Sequence, residues 1–106
     1  MRRRNKYNAS KVRFDGYVFD SKREAEYYSE LKLRERAGEI SNINVHPSFP
    51  IEIMGRPICK VVLDFVYTDK NGDDRYIDVK GMKTAISILK KKMCEAQYGI
   101  DIEWVK

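Results

Sequence analysis

The sequence predicts a mixed α/β fold in which two helices cover a central sheet. Two segments carry apolar residues at helical spacing, several shorter runs alternate with period two, and turn residues punctuate every junction between them. At 106 residues with 42% hydrophobic content, the chain is long enough to bury one modest core. The expected organisation is a basic arm over residues 1–11 and a single domain over residues 12–106.

The elements follow in order. In "VRFDGYVF", Asp15-Gly16 stands between two runs of valine and aromatics, the commonest two-residue hairpin signal, so a hairpin opens the fold. "FDSKREAEYYSELKLRERAG" offers Asp20 or Ser21 as N-cap, Glu24 three residues after Ser21 as in a capping box, and Gly38 as a stop. Residues 43–53 are apolar at every odd position, which predicts a strand that Pro47 and Pro50 confine to an edge or a bulge. Residues 58–67 and 75–80 read as two further strands joined by the polar "TDKNGDD". That loop lacks an EF-hand's glycine position, twelfth-position acid and flanking helices, so it is a connector and not a calcium site. Residues 85–98 form a second helix with Met82, Ala85, Ile86, Leu89, Met93 and Ala96 as its apolar stripe, ended by Gly99. "IDIEWV" alternates as a last strand.

Charge and cysteine content narrow the class. The net charge is +5, and Arg2, Arg3, Arg4, Lys6, Lys11 and Arg13 all precede the first acid, leaving 15 basic against 16 acidic groups beyond them. Such an arm grips phosphate backbones without reading sequence, or merely solubilises a terminus. No apolar run approaches the roughly 20 residues that span a bilayer, and no signal-peptide pattern opens the chain, so a cytoplasmic protein with no membrane partner is expected. Cys59 and Cys94 have no metal-type spacing, and the single histidine, His46, adds no partner to them; packed, reduced thiols are expected.

The chemistry-bearing residues interrupt the strands. Along residues 60–66, Lys60, Val62, Asp64 and Val66 share one face, and in the next strand Tyr76, Asp78 and Lys80 project together. If these strands pair antiparallel, Asp64 lies beside Asp78. On the first helix the stripe through Ala25, Tyr27, Tyr28 and Leu31 has Glu24 near its middle, so Glu24 faces inward, as a helix cap or as a third carboxylate. Carboxylates that share a partly dry pocket must be protonated, paired with cations or bound to a metal. Lys80 offsets only part of the charge, and three carboxylates suit Mg²⁺ or Mn²⁺.

With these residues in place, "VVLDFVY", a turn and "YIDVKG" resemble the signature of the PD-(D/E)xK nuclease superfamily, with Asp64 as the opening aspartate and Asp78 and Lys80 as the acid-x-lysine triplet. The order from "FDSKREAEYYSELK" to a lysine-bearing helix is most similar to that of compact phage junction-resolving endonucleases, and the resemblance covers about residues 19–105. Leu63 stands where the family has proline, and Asp78 where many members have glutamate. No Gln-to-Tyr signature of the exonuclease-like relatives is present.

The resemblance implies a restriction-endonuclease-like αβββαβ core, its mixed central sheet flanked by helices, behind the N-terminal hairpin. It implies Mg²⁺-dependent hydrolysis of DNA phosphodiesters, with Asp64, Asp78, the Val79 carbonyl and Glu24 as direct or water-mediated ligands and Lys80 orienting the attacking water. The arm together with Lys83, Lys90 and Lys91 would hold the DNA backbone. The expected activity is structure-selective cutting of branched DNA, namely Holliday junction resolution in phage recombination or replication. Two coordinated cuts require a C2 homodimer, because a domain this small supplies one site. The competing expectations are a monomeric nicking or mismatch endonuclease of the same fold, and a non-catalytic DNA-binding module of phage replication or packaging.

Overall fold

The computed structural model describes residues 11–106. The arginines and lysine at positions 2, 3, 4 and 6, expected to hold DNA, lie outside the described residues. The element order is β1 (Val12–Phe14), β2 (Tyr17–Phe19), α1 (Lys22–Arg36), β3 (Ser41–Val45), β4 (Ser48–Ile53), β5 (Arg56–Val62), β6 (Phe65–Thr68), β7 (Asp74–Val79), α2 (Ala85–Tyr98) and β8 (Ile102–Val105). No helix among the described residues is long and apolar enough to cross a membrane.

The opening hairpin forms as its turn chemistry requires. β1 and β2 pair antiparallel with Phe14 opposite Tyr17. Asp15 and Gly16 both take positive φ, 56° and 84°, the left-handed pair that a two-residue turn between twisted strands demands. Helix α1 starts at Ser21, whose Oγ accepts from the Glu24 amide at 3.2 Å. It ends where Gly38, at φ 79°, lets the Glu39 amide reach back to the Arg34 carbonyl.

The strand expectations need correction. In place of three long strands, residues 41–79 form five, and in place of one central sheet there are three: β1-β2, β4-β5, and a four-stranded sheet in the order β3-β6-β7-β8. The alternating run over residues 43–53 breaks at His46, which adopts φ 56° immediately before Pro47, a residue with no amide to donate. The run over residues 58–67 breaks at Leu63 and Asp64. There the Leu63 amide donates to the Pro47 carbonyl, while the Asp64 amide donates across to the Ile77 carbonyl. The chain thus leaves the main sheet at His46, builds the β4-β5 hairpin, and re-enters at Asp64. Without that excursion the order is helix, three strands, helix, strand, with β3, β6 and β7 antiparallel and β8 parallel to β7.

The re-entry also divides the core. Strand alternation predicts Leu63 and Phe65 on one face, yet they lie in different clusters. Phe65 joins Phe19, Tyr28, Leu31, Tyr67 and Ile77 beneath α1, and Leu63 joins Ile51, Val61, Cys94 and Ile102 beneath α2. Cys94 is fully buried and unpaired.

Helix α2 departs most from expectation. Its bounds match the sequence reading, and Thr84 and Ser87 cap it reciprocally. However, Met82, Ile86 and Leu89 of the expected inward stripe are exposed, and Cys94 is the helix's buried position. Ser87, Lys90 and Lys91 line a cavity against the sheet, together with Ile86.

Candidate functional site

Asp64 sits at the hinge between two sheets, one step beyond the Phe65–Ile77 pair of the β6–β7 register, which places it beside Asp78. Its Oδ2 accepts from the Val79 amide at 2.7 Å, and its carbonyl accepts from the His46 amide at 2.9 Å. The side chain is therefore aimed by the backbone of two neighbouring segments. Val79 thus meets the site through its amide, which donates to Asp64.

Glu24 is buried at 8% exposure, the one buried charged residue among those described. The capping box predicts that its carboxylate returns to the N-cap amide. Instead Oε1 accepts from the Asp20 amide at 3.3 Å, one residue earlier, which leaves the carboxylate facing inward. Candidate ligand atoms of Glu24, His46 and Asp64 all lie within 4.8 Å of one another. The His46 ring is held there by packing on buried Phe19, with centroids 5.7 Å apart.

Asp78 lies on the neighbouring strand β7 and Lys80 just past its end, with Lys80 Nζ 3.3 Å from Asp78 Oδ2. Asp78 is not in the mutually close set, but it adjoins Asp64 closely enough to act on its proton affinity. Burial pushes the Asp64 carboxyl up to about 8, helped by the negative charges of Glu24 and Asp78 and opposed by the Val79 amide. Burial also raises Glu24, with the Asp20 amide and the proximity of His46 acting in the opposite direction. Two carboxylates held this close and this dry are costly while both are ionised, and a cation removes the cost. The donors fit a divalent ion. Glu24 and Asp64 supply the oxygens a hard ion takes, and the imidazole nitrogen of His46 favours Mn²⁺ over Mg²⁺.

The sequence reading missed two residues. His46 has no metal-type partner near it in sequence, although its place before a proline that interrupts a strand marks a loop between scaffold strands, where functional residues concentrate. Trp104 carries in the sequence only the signal of a strand residue. In the parallel register it pairs with Asp78, and Lys83 Nζ and Lys91 Nζ stand 4.8 and 5.3 Å from its ring centroid. Lys90 and Lys91 line a cavity with Asp78 and Lys80. Lys11 is paired at 2.8 Å with Asp20, and Arg13 is exposed on β1.

The loop over residues 68–74 is a connector. Asp69 Oδ1 accepts from the amides of Asn71 and Asp73, so its carboxylate is spent on holding the turn.

Comparison with known proteins identifies one family. A family model described as "Protein of unknown function (DUF1064)" matches residues 4–106, and the chain belongs to that family. No curated protein and no solved structure matches it.

Proposed function

We propose that this member of the family is a divalent-metal-dependent DNA endonuclease with a PD-(D/E)xK-type site, acting on branched DNA as a C2 homodimer. The observation that carries the reading is the convergence of Glu24, His46 and Asp64 within 4.8 Å, next to an Asp78–Lys80 pair at the end of the adjacent strand. The order helix, three strands, helix, strand, with one parallel pair in the sheet, supports it.

A divalent ion in the Glu24, His46 and Asp64 cluster supplies Lewis acidity and positive charge to a scissile phosphodiester. The chain's own residues do the rest. The amides of Asp20 and Val79 hold Glu24 and Asp64 in their binding orientations, as partners of metal-ligating carboxylates do. Asp78 extends the acidic surface toward the cavity beneath α2 and fixes the Lys80 ammonium. Lys80 orients the attacking water and offsets charge that develops on the phosphate. Arg13, Lys83 and Lys90, with the basic residues of the arm, grip the DNA backbone. The exposed Leu89 of α2 suits contact with a second copy, which would bring two sites to the two strands of a junction.

The test is cleavage of a labelled four-way junction beside matched linear duplex, in Mg²⁺ and in Mn²⁺. Asp78→Asn and Lys80→Ala are expected to cut on the order of 10²–10³-fold more slowly, with junction binding retained. Either variant cutting at the wild-type rate would overturn the assignment, and equal cutting of linear duplex would favour a monomeric nicking enzyme. Titration calorimetry with Mn²⁺ reads the metal site independently of activity. Asp64→Asn should abolish binding and His46→Ala should weaken it about 10- to 100-fold, whereas a non-catalytic DNA-binding module would bind no ion at all.

A further inference from the structure

We propose that the cavity between β5, β7, β8 and α2 binds one nucleotide of an unpaired nucleic-acid strand, its base stacked on Trp104 and its phosphate held by Lys60, Lys80 and Lys90. The inference rests on the nuclease reading for its ligand class, but on separate residues for its geometry. The cavity is about 320 Å³, large enough for a small ligand, and its ionisable lining is Lys60, Lys80, Lys90 and Lys91 against Asp78. Lys80 is paired with Asp78 and Lys91 with Glu95, whereas Lys60 and Lys90 make no ion pair among the described residues. The lining is therefore under-neutralised and suits an anion.

Trp104 supplies what a phosphate site alone does not need. It is register-paired with Asp78, so the indole and the acid adjoin on the same side of β7 and β8. Lys83 and Lys91 lie within 5.3 Å of its centroid, at cation–π distance. Contacts of that kind at an accessible site are weak and exchangeable, so an incoming base can take the ring while the ammoniums move to the adjoining phosphate. Aromatic side chains set among lysines are how sequence-tolerant sites grip single strands. A base inside an intact duplex keeps its faces stacked on its neighbours and does not present one to an indole at a cavity wall. The site therefore selects a strand that is already open or can be splayed, as at a branch point, and holds it beside Asp78.

Trp104 is the chain's only tryptophan, so its fluorescence reports the site directly. In chelator, where no metal-dependent cutting occurs, a short thymidine oligonucleotide is expected to quench it saturably. By anisotropy of a labelled strand, Trp104→Leu should weaken binding roughly 5- to 150-fold and Trp104→Phe should restore most of it. A strand of the same length made of abasic deoxyribose phosphate should bind wild type as poorly as the thymidine strand binds Trp104→Leu. Lys90→Gln should reduce the salt dependence of binding by about one counterion's worth. It keeps the ring in place should Trp104→Leu misfold. An abasic strand that binds and quenches as well as the thymidine strand overturns the proposal, as does a salt dependence untouched in Lys90→Gln. Wild type that stacks the strand yet cuts no DNA sinks the nuclease reading alone, and wild type that cuts DNA with no base-dependent quenching sinks only this site.

Discussion

Helices α1 and α2 cover opposite faces of the same four-stranded sheet and do so in opposite ways. Beneath α1 the packing is dry and aromatic: Phe19, Tyr28 and Phe65 stack within about 6 Å of one another, and Leu31 and Ile77 close the layer. Beneath α2 only Cys94 of the helix is buried, lysines and Ile86 line a cavity, and Leu89 is exposed to solvent. The first face is built for stability and buries one carboxylate at its edge. The second face leaves room, and what fills that room need not be protein. An apolar stripe at helical spacing therefore does not by itself locate a buried face.

That contrast can be broken by substitution. Phe65→Ala, at the centre of the α1 layer, should cost about 3–5 kcal/mol in denaturant unfolding. A loss below about 1 kcal/mol would mean that this layer is not the main core. The Asp64 carboxyl at the boundary between the two faces should make stability depend on pH. Its affinity for a proton is raised to about 8 in the folded chain and returns to about 3.9 when unfolded. The folded state thus holds the extra proton between those limits. The stability this gives is complete below about pH 4 and is lost as pH rises through 8. In chelator, thermal unfolding should therefore show a midpoint that falls over that window in wild type and much less in Asp64→Asn. Added Mn²⁺ should reverse the fall at pH 8, since the ion needs the ionised carboxylate. A wild-type midpoint flat from pH 4 to 8 would mean that Asp64 is already solvated. The smallest effect is expected on the outer side of α2, where Leu89→Ala should change the stability of an isolated chain by less than about 0.5 kcal/mol. A larger loss that grows with protein concentration would place Leu89 between copies of the chain.

Local signals carried much of the fold. The Asp15-Gly16 turn, the Ser21 cap, the bounds of α2 and the Gly99 stop depend on φ preferences and hydrogen bonds between near neighbours, and each stands where its residues put it. The side-by-side placement of Asp64 and Asp78 was also legible, because a period of two and a short connector fix register. The excursion through β4-β5 was not. Its signal is a single left-handed histidine before a proline inside a run whose alternation never falters, and periodicity cannot register a break that preserves it.

The sequence by itself determined the opening hairpin, the two helices, the last strand and the acid-x-lysine triplet, since these rest on interactions a few residues long. Only the tertiary structure decided that Glu24 reaches Asp20 and turns its carboxylate toward Asp64, that His46 completes that cluster from a strand break, and that Trp104 stands beside Asp78. The contacts among Glu24, His46 and Asp64, and that of Trp104 with Asp78, join residues 18 to 40 positions apart. Whether such groups meet depends on which sheet each strand enters, and that choice is made by burial over the whole chain and not by any local pattern.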